Sequence, residues 1–289
     1  MMQPAAFEQL ILDLTPRYGP GEARSITRIV FEDAFGTRRP EEKIFSAQEE
    51  RQFLEIRRRL LIGEPVQYVL GEAGFWGLKF KVTPAVLIPR QETEELVAWV
   101  LEWLKEKALP NAAVLDVGLG SGCIGITLKA KQPAIRLFGL EKSPEALEVA
   151  AENARRILGE GHFTFVAGDI LKPAPGQIFP DLDVVVSNPP YIPHREQTLM
   201  PEHVRKYEPG LALFVEDGDP LLFYRAIAAF ARRKLRPGGA LFFECNEFNA
   251  GEVAALLRQG GFTNVVMRKD MAGAERMVRG EIELRRDNN

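Results

Sequence analysis

Near the front of the chain, apolar residues recur three and four positions apart in three separate sets. Phe7, Leu10, Ile11 and Leu14 form the first, Ile26, Ile29, Val30 and Phe31 the second, and Phe53, Ile56, Leu60 and Leu61 the third. At 3.6 residues per turn this spacing puts each set on one buried helix face. Interruptions are expected at Pro16 to Gly21 and at Gly36 to Pro40, where helix breakers gather. Ser46, with Glu49 three residues on, predicts an N-cap closed by a capping box. A small helical bundle is expected to about Leu61, ended by Gly63 to Pro65.

The period then changes. From Phe75 to Val82 the apolar Phe80 and Val82 alternate with Lys79 and Lys81, with Gly74 and Gly77 as punctuation, which predicts an extended, hairpin-like connector. A helix is expected over Thr93 to Lys107, and from Ala112 short β-rich runs alternate with helical ones. Strands are predicted over 113–117, 135–140, 163–167, 184–187, 240–245, 265–268 and 276–278, with helices such as 144–158, 220–235 and 250–259 between them. Alternation at this spacing implies a mostly parallel sheet with helices on both faces, an α/β arrangement. Such sheets bind ligands at the carboxyl ends of their strands, near the topological switch point.

Composition narrows the class. A chain of 289 residues suggests two domains, and 46% hydrophobic with 27% charged residues is ordinary for a protein with a buried core. No apolar run is long enough to cross a bilayer, and the first thirty residues lack the apolar stretch of a secretory signal. Cys123 and Cys245 are the only cysteines, which fits a reducing cytoplasmic setting. A net charge of −3 argues against a nucleic-acid partner. The basic clusters Arg57-Arg58-Arg59 and Arg232-Arg233-Lys234 with Arg236 are expected to be solvated helix faces. His162, His194 and His203 have no ligand spacing, so no metal is expected.

The run Ala113-Val114-Leu115-Asp116-Val117 leads straight into Gly118-Leu119-Gly120-Ser121-Gly122. Glycines there let the backbone turn sharply and let a ligand approach the main chain. Gly120, Gly122 and Gly125 also satisfy the dinucleotide spacing, but the first of them lies beyond the strand end. Asp116 at the strand terminus would repel a pyrophosphate and suits a cationic cofactor, which S-adenosyl-L-methionine is. The next strand ends at Glu141, an acid placed to accept hydrogen bonds from ribose hydroxyls. The third ends near Asp169 and Ile170, where a carboxylate can accept from an adenine amino group and an apolar side chain can cover the ring.

The fourth strand ends in Ser187, then Asn188-Pro189-Pro190-Tyr191. A nitrogen conjugated to a carbonyl or an aromatic ring is a poor nucleophile because its lone pair is delocalised. Acceptors that hold its N–H groups let the lone pair turn toward a methyl group. Asn188 offers a side-chain carbonyl and Pro189 a backbone carbonyl, while the prolines fix φ and add no N–H. Tyr191 supplies an aromatic face and a hydroxyl. Rate would come from orientation and electrostatic preorganisation. These residues point to a methyltransferase acting on a planar nitrogen.

At this point the chain resembles the bacterial release factor glutamine methyltransferase family, nearly end to end. The resemblance rests on Gly63 to Gly71, on Leu87-Ile88-Pro89-Arg90 with Glu92-Thr93-Glu94, on Asp116 to Cys123 and on Ser187 to Ile192. It continues through Glu208-Pro209, Ala212-Leu213, Gly218, Tyr224-Arg225, Pro237-Gly238-Gly239 and Asp270 to Gly273. It implies a seven-stranded, Rossmann-like class I S-adenosylmethionine-dependent methyltransferase domain over 91–289, behind a helical release-factor-binding domain over 1–72 and a β-hairpin linker over 73–90. It further implies methylation of the glutamine amide in the Gly-Gly-Gln tripeptide of peptide chain release factors. Gly118, Leu119, Gly120, Ser121, Gly122, Glu141, Asp169, Ile170 and Asn188 would then touch the cofactor, and Asn188 to Tyr191 the glutamine. Phe75, Arg90 and Thr93 would line the site. The chain departs from the family pattern at Gln91, Leu119, Glu141, Asn246 and Asn249. Against this stand a nucleic-acid amino methyltransferase, which would need to extrude its base, a ribosomal-protein glutamine methyltransferase, and a non-catalytic binding module. A monomer is expected, with no membrane partner.

Overall fold

The structure is a computed structural model that describes residues 6–172 and 179–284. Its chain divides into two compact units, one of residues 1–72 with 201–207 and the other of residues 73–200 with 208–289.

In the first unit, α1 (Ala6–Phe35) carries the first two apolar sets. The expected interruption is a kink rather than a loop: Gly19 alone leaves helical geometry, at φ 76° and ψ 163°, a conformation open to glycine. The buried stripe then runs through Ala23, Ile26, Thr27, Val30 and Phe31. Ile29, expected on that face, is exposed because it lies off the i, i+3, i+4 row. Helix α2 (Ala47–Leu61) begins with the predicted capping box, Ser46 and Glu49 satisfying each other's backbone N–H groups, and α3 (Val66–Leu70) follows. Leu61 is likewise exposed. Phe31 is the centre of an aromatic cluster, its ring 5.4 Å from Phe7 and 5.9 Å from Phe53. The basic cluster on α2 is not simply solvated. Arg57 pairs with Asp13 at 2.6 Å, and Arg59 binds Glu64 and the carbonyls of Tyr68 and Val69. Arg59 thereby satisfies carbonyls of α3 that have no helical partner.

The second unit begins at Ala73, within β1 (Glu72–Phe75), which forms a hairpin with β2 (Leu78–Lys81) around Trp76 and Gly77, both at positive φ, the turn geometry that suits strand twist. Helix α4 (Gln91–Glu106) leads to a seven-stranded sheet. Its strands are β3 (Ala113–Val117), β4 (Arg136–Glu141), β5 (Phe163–Ala167), β6 (Leu182–Ser187), β9 (Leu235–Glu244), β10 (Thr263–Lys269) and β11 (Glu275–Glu281). The spatial order is β10-β11-β9-β6-β3-β4-β5, with β3 to β6 and β9 parallel and β11 antiparallel to both its neighbours. The chain runs outward from β3 through β4 to β5, then returns to β6 on the other side of β3. The switch point lies between β3 and β6.

Every residue of β3 and of β6 is buried, as expected for parallel strands covered on both faces. Alternation along β9 sends Leu241 and Phe243 to one core, with Leu115, Val185, Tyr224 and Ile227. Ala240 and Phe242 go to the other, with Trp99 and Trp103 of α4 and Ile124 and Ile126 of α5 (Cys123–Lys131). The remaining helices are α6 (Pro144–Leu158), α9 (Leu222–Lys234) and α10 (Ala250–Gln259). Two short strands, β7 (Ile192–Pro193) and β8 (Phe214–Val215), pair in parallel beyond the sheet. The short α7 (Glu202–Tyr207) belongs to the first unit, where the Tyr207 hydroxyl donates to the Ile62 carbonyl at 3.2 Å, while α8 (Gly210–Leu213) belongs to the second. Among the described residues no helix is long and apolar enough to cross a membrane.

Candidate active site

The carboxyl ends of β3, β4, β5 and β6 open on one cavity of about 380 Å³. Gly118, Leu119, Gly120 and Ser121 line it after β3, Glu141 at the end of β4, Asp169 and Ile170 after β5, and Asn188, Pro189 and Pro190 after β6. Gly118 and Gly120 have φ of 76° and 53°, and a Cβ on either would meet no atom within 4 Å. Their backbone faces open space that a ligand can occupy. The loop is held by the Gly118 N–H on the Leu140 carbonyl at 2.8 Å and by the Gly120 N–H on the Glu141 carboxylate at 2.9 Å. The other Glu141 oxygen accepts from the N–H groups of Lys142 and Ser143.

Several residues singled out from the sequence lie outside this cavity. Gly122 caps α5 at φ 79°, and a Cβ there would fall 2.5 Å from Ile126 Cδ1. Its job is the turn and the close packing of the helix. Asp116 is buried and not among the lining residues: one oxygen accepts from the Gly125 N–H at 2.9 Å, and the other has no partner among the described residues. Burial pushes its carboxyl up to about 8, the Gly125 bond opposing and the Glu141 charge adding to the rise. Phe75 is core, packed edge-on to Phe80 with ring centres 6.0 Å apart. Tyr191 is half-buried against the sheet, and burial, with the nearby Glu244 charge, raises its phenol above the usual range.

The Ile88-Pro89-Arg90-Gln91-Glu92-Thr93-Glu94 run owes its importance to long-range bonds. Arg90 pairs with the buried Glu208 at 2.6 Å, whose second oxygen accepts from the Ile88 N–H at 3.2 Å. Glu94 accepts from the Trp76 N–H at 2.6 Å, tying the hairpin turn to α4. Thr93 lines the cavity and donates to Glu244 at 2.7 Å. Asn188 Nδ2 lies 3.4 Å from the Thr93 hydroxyl oxygen. Gln91 is exposed at the first position of α4. At Asp169, burial alone would raise the pKa. The Leu171 N–H and the Lys142 ammonium, 3.1 Å away, instead hold its carboxyl below the usual range.

Glu208 and Glu244 were not singled out as site residues from the sequence. Their neighbours in the chain do not disclose them, because each partner lies more than a hundred residues away. The walls formed by Val86, Ile88, Ala146, Leu211, Phe223 and Ile227 were also missed. They are apolar residues like any others until the fold brings them to one cavity. Among the described residues no cluster of His, Cys, Asp or Glu is arranged to hold a metal.

The strand order of the second unit, and what stands at the ends of its strands, are those of an α/β methyltransferase. Residues 92–206 match the methyltransferase small domain family. A methyltransferase from Pyrococcus furiosus shares the fold, with a TM-score of 0.51 at 18% identity over 83% of this chain and all of that one. Two curated relatives reach further. The release factor glutamine methyltransferase of Flavobacterium psychrophilum is 44% identical over 75% of each chain. That of Bacteroides thetaiotaomicron is 38% identical over 90% of this chain and 93% of its own. The chain belongs to the release factor glutamine methyltransferase family. The methyl donor of such enzymes is S-adenosylmethionine, and the cavity fits it: a glycine turn with open backbone, carboxylates after the next two strands, and an apolar wall.

Proposed function

We propose that the protein methylates the side-chain amide nitrogen of the glutamine in the Gly-Gly-Gln tripeptide of a peptide chain release factor. The observation that carries this reading is that Asn188, Pro189 and Pro190 line the same cavity as the glycine loop. S-adenosylmethionine, when bound, supplies an electrophilic methyl group. Gly118 to Ser121 would hold its amino-acid portion, Glu141 its ribose, and Asp169 with Ile170 its base. The carbonyls of Asn188 and Pro189 accept from the substrate N–H groups, and the two prolines hold that segment rigid without competing donors. Fixing a planar amide in this way converts a weak nucleophile into an oriented one. The helical unit of residues 1–72 with 201–207 is assigned to recognition of the release factor, and the active protein is a monomer. Net charge of −3 disfavours a nucleic-acid substrate.

The test is transfer of labelled methyl to a release factor, to its Gly-Gly-Ala variant and to duplex DNA. Label is expected on the wild-type factor alone, and label on the variant or on DNA but not on the factor would overturn the proposal. Asn188→Ala should keep cofactor affinity within about tenfold while nearly abolishing turnover. Unchanged turnover would remove Asn188 from the chemistry.

A further inference from the structure

An asparagine side chain is nearly symmetric in shape, yet its two ends are opposite in hydrogen bonding. Holding a substrate N–H requires the carbonyl oxygen of Asn188 to face the cavity. Packing cannot choose between the two orientations, so the choice must come from a neighbour that only accepts or only donates.

Behind Asn188 stands such an arrangement. Thr93, in the first turn of α4, and Glu244, at the end of β9, are both 3% exposed. The Thr93 hydroxyl is 2.7 Å from a Glu244 oxygen, and Asn188 Nδ2 is 3.4 Å from the Thr93 oxygen. A hydroxyl has one proton. An ionised carboxylate can only accept, so that proton goes to Glu244 and leaves the Thr93 oxygen as an acceptor. The Asn188 group facing Thr93 must then be the NH2, and its carbonyl turns the other way. The β-branched Thr93 has few rotamers in a helix, and the Tyr224 hydroxyl, on the Glu244 backbone carbonyl at 3.2 Å, fixes the strand end.

We propose that Glu244 and Thr93 are positioning residues that set the orientation of the Asn188 amide, with its carbonyl oxygen presented to the substrate. This rests on the amide methylation proposed above. The relay is also titratable, since burial pushes the Glu244 carboxyl up to about 7. Within α4, the Thr93 hydrogen bond lowers that value and the Glu92 charge raises it, while the Arg276 charge of β11 and a direct hydrogen bond from the Asn188 side chain lower it. Tyr191, Tyr224, Cys245 and Cys123 also feel the Glu244 charge. Once protonated, Glu244 can donate to the Thr93 oxygen. The Thr93 proton is then free to meet the Asn188 carbonyl, and the amide reverses.

Thr93→Val keeps the shape and deletes the hydroxyl. It should lower kcat on the order of a hundredfold with cofactor Kd within about threefold, and Thr93→Ser should recover most of the loss. Wild-type kcat should fall as pH drops through about 7, and Glu244→Gln should flatten that limb. Equal kcat in Thr93→Val, a loss that Thr93→Ser shares, or a pH limb that survives Glu244→Gln would each overturn the relay. A readout without substrate separates this inference from the function it rests on. The Asn188 side-chain amide resonances in the free protein should titrate near pH 7 and shift in Thr93→Val. If they do neither, the relay is wrong whatever the substrate proves to be. If they do both while no release factor is methylated, the proposed substrate alone fails.

Discussion

Leu119 stands between two glycines of the cofactor loop and folds onto Gly139 of β4. A Cβ built on Gly139 would lie 2.5, 2.7 and 2.8 Å from Leu119 Cδ1, Cδ2 and Cγ. Carbon atoms in contact prefer about 3.5–4.0 Å, so three atoms are each too close by about an ångström. Gly139 is an ordinary strand residue at a φ that any side chain tolerates. Space alone forbids alanine there. The loop backbone cannot retreat easily, because the Gly118 N–H is bonded to the Leu140 carbonyl at 2.8 Å. The leucine's remaining exit is the cavity it lines. Gly139→Ala should therefore cost about 1–3 kcal/mol of stability and weaken cofactor binding on the order of tenfold. Leu119→Ala alone should cost about 2 kcal/mol through the void it leaves. In the Leu119→Ala background the new methyl group enters that void, and Gly139→Ala should be neutral within about 0.5 kcal/mol. Urea denaturation and calorimetric titration of S-adenosylmethionine across the four proteins measure the coupling. Additive effects, or wild-type affinity in Gly139→Ala, would refute the reasoning.

Arg90→Ala should cost about 1–3 kcal/mol in urea denaturation. That is less than the loss for a fully buried pair, because the Arg90 side chain is 36% exposed while that of Glu208 is 1% exposed. Adding Glu208→Gln should recover part of the loss, and a change below about 0.5 kcal/mol in the single variant would show that the pair holds nothing. Asp116 and Glu244 set a pH dependence of stability. Their folded values, about 8 and about 7, lie above the ordinary carboxyl values of 3.8 and 4.5, so the folded protein holds protons that the unfolded chain releases. Stability from each group is present at low pH and is lost as pH rises through these windows, with a limiting slope of about 1.4 kcal/mol per pH unit. Asp116→Asn should flatten the curve most between about pH 4 and 8. A wild-type minus variant difference that does not fall with rising pH in that range would contradict it.

What could be read from the chain alone was whatever is local. The β-rich runs, the glycine turn after β3, the acids after β4 and β5 and the Asn188-Pro189-Pro190 turn after β6 are each contiguous, and short-range sterics dictate them. Alternation of strands and helices then implies that successive strand ends converge, and in the structure Gly118, Glu141, Asp169 and Asn188 line one cavity. Which way an individual side chain turns is not local. Tyr191 lies beside lining residues in the chain yet packs against the core, and Phe75 joins the core as well. Glu208 reaches Arg90, and Glu244 reaches Thr93 and Asn188, across separations that no periodicity encodes. Backbone propensity and hydrophobic period act over a few residues, so the class of fold and the order in which the motifs meet the cavity are legible along the chain. Which polar groups are buried together depends on the folded arrangement. Hydrogen bonding and desolvation there depend on every neighbour at once, and around Glu244 those neighbours come from α4, α9, β11 and the turn after β6.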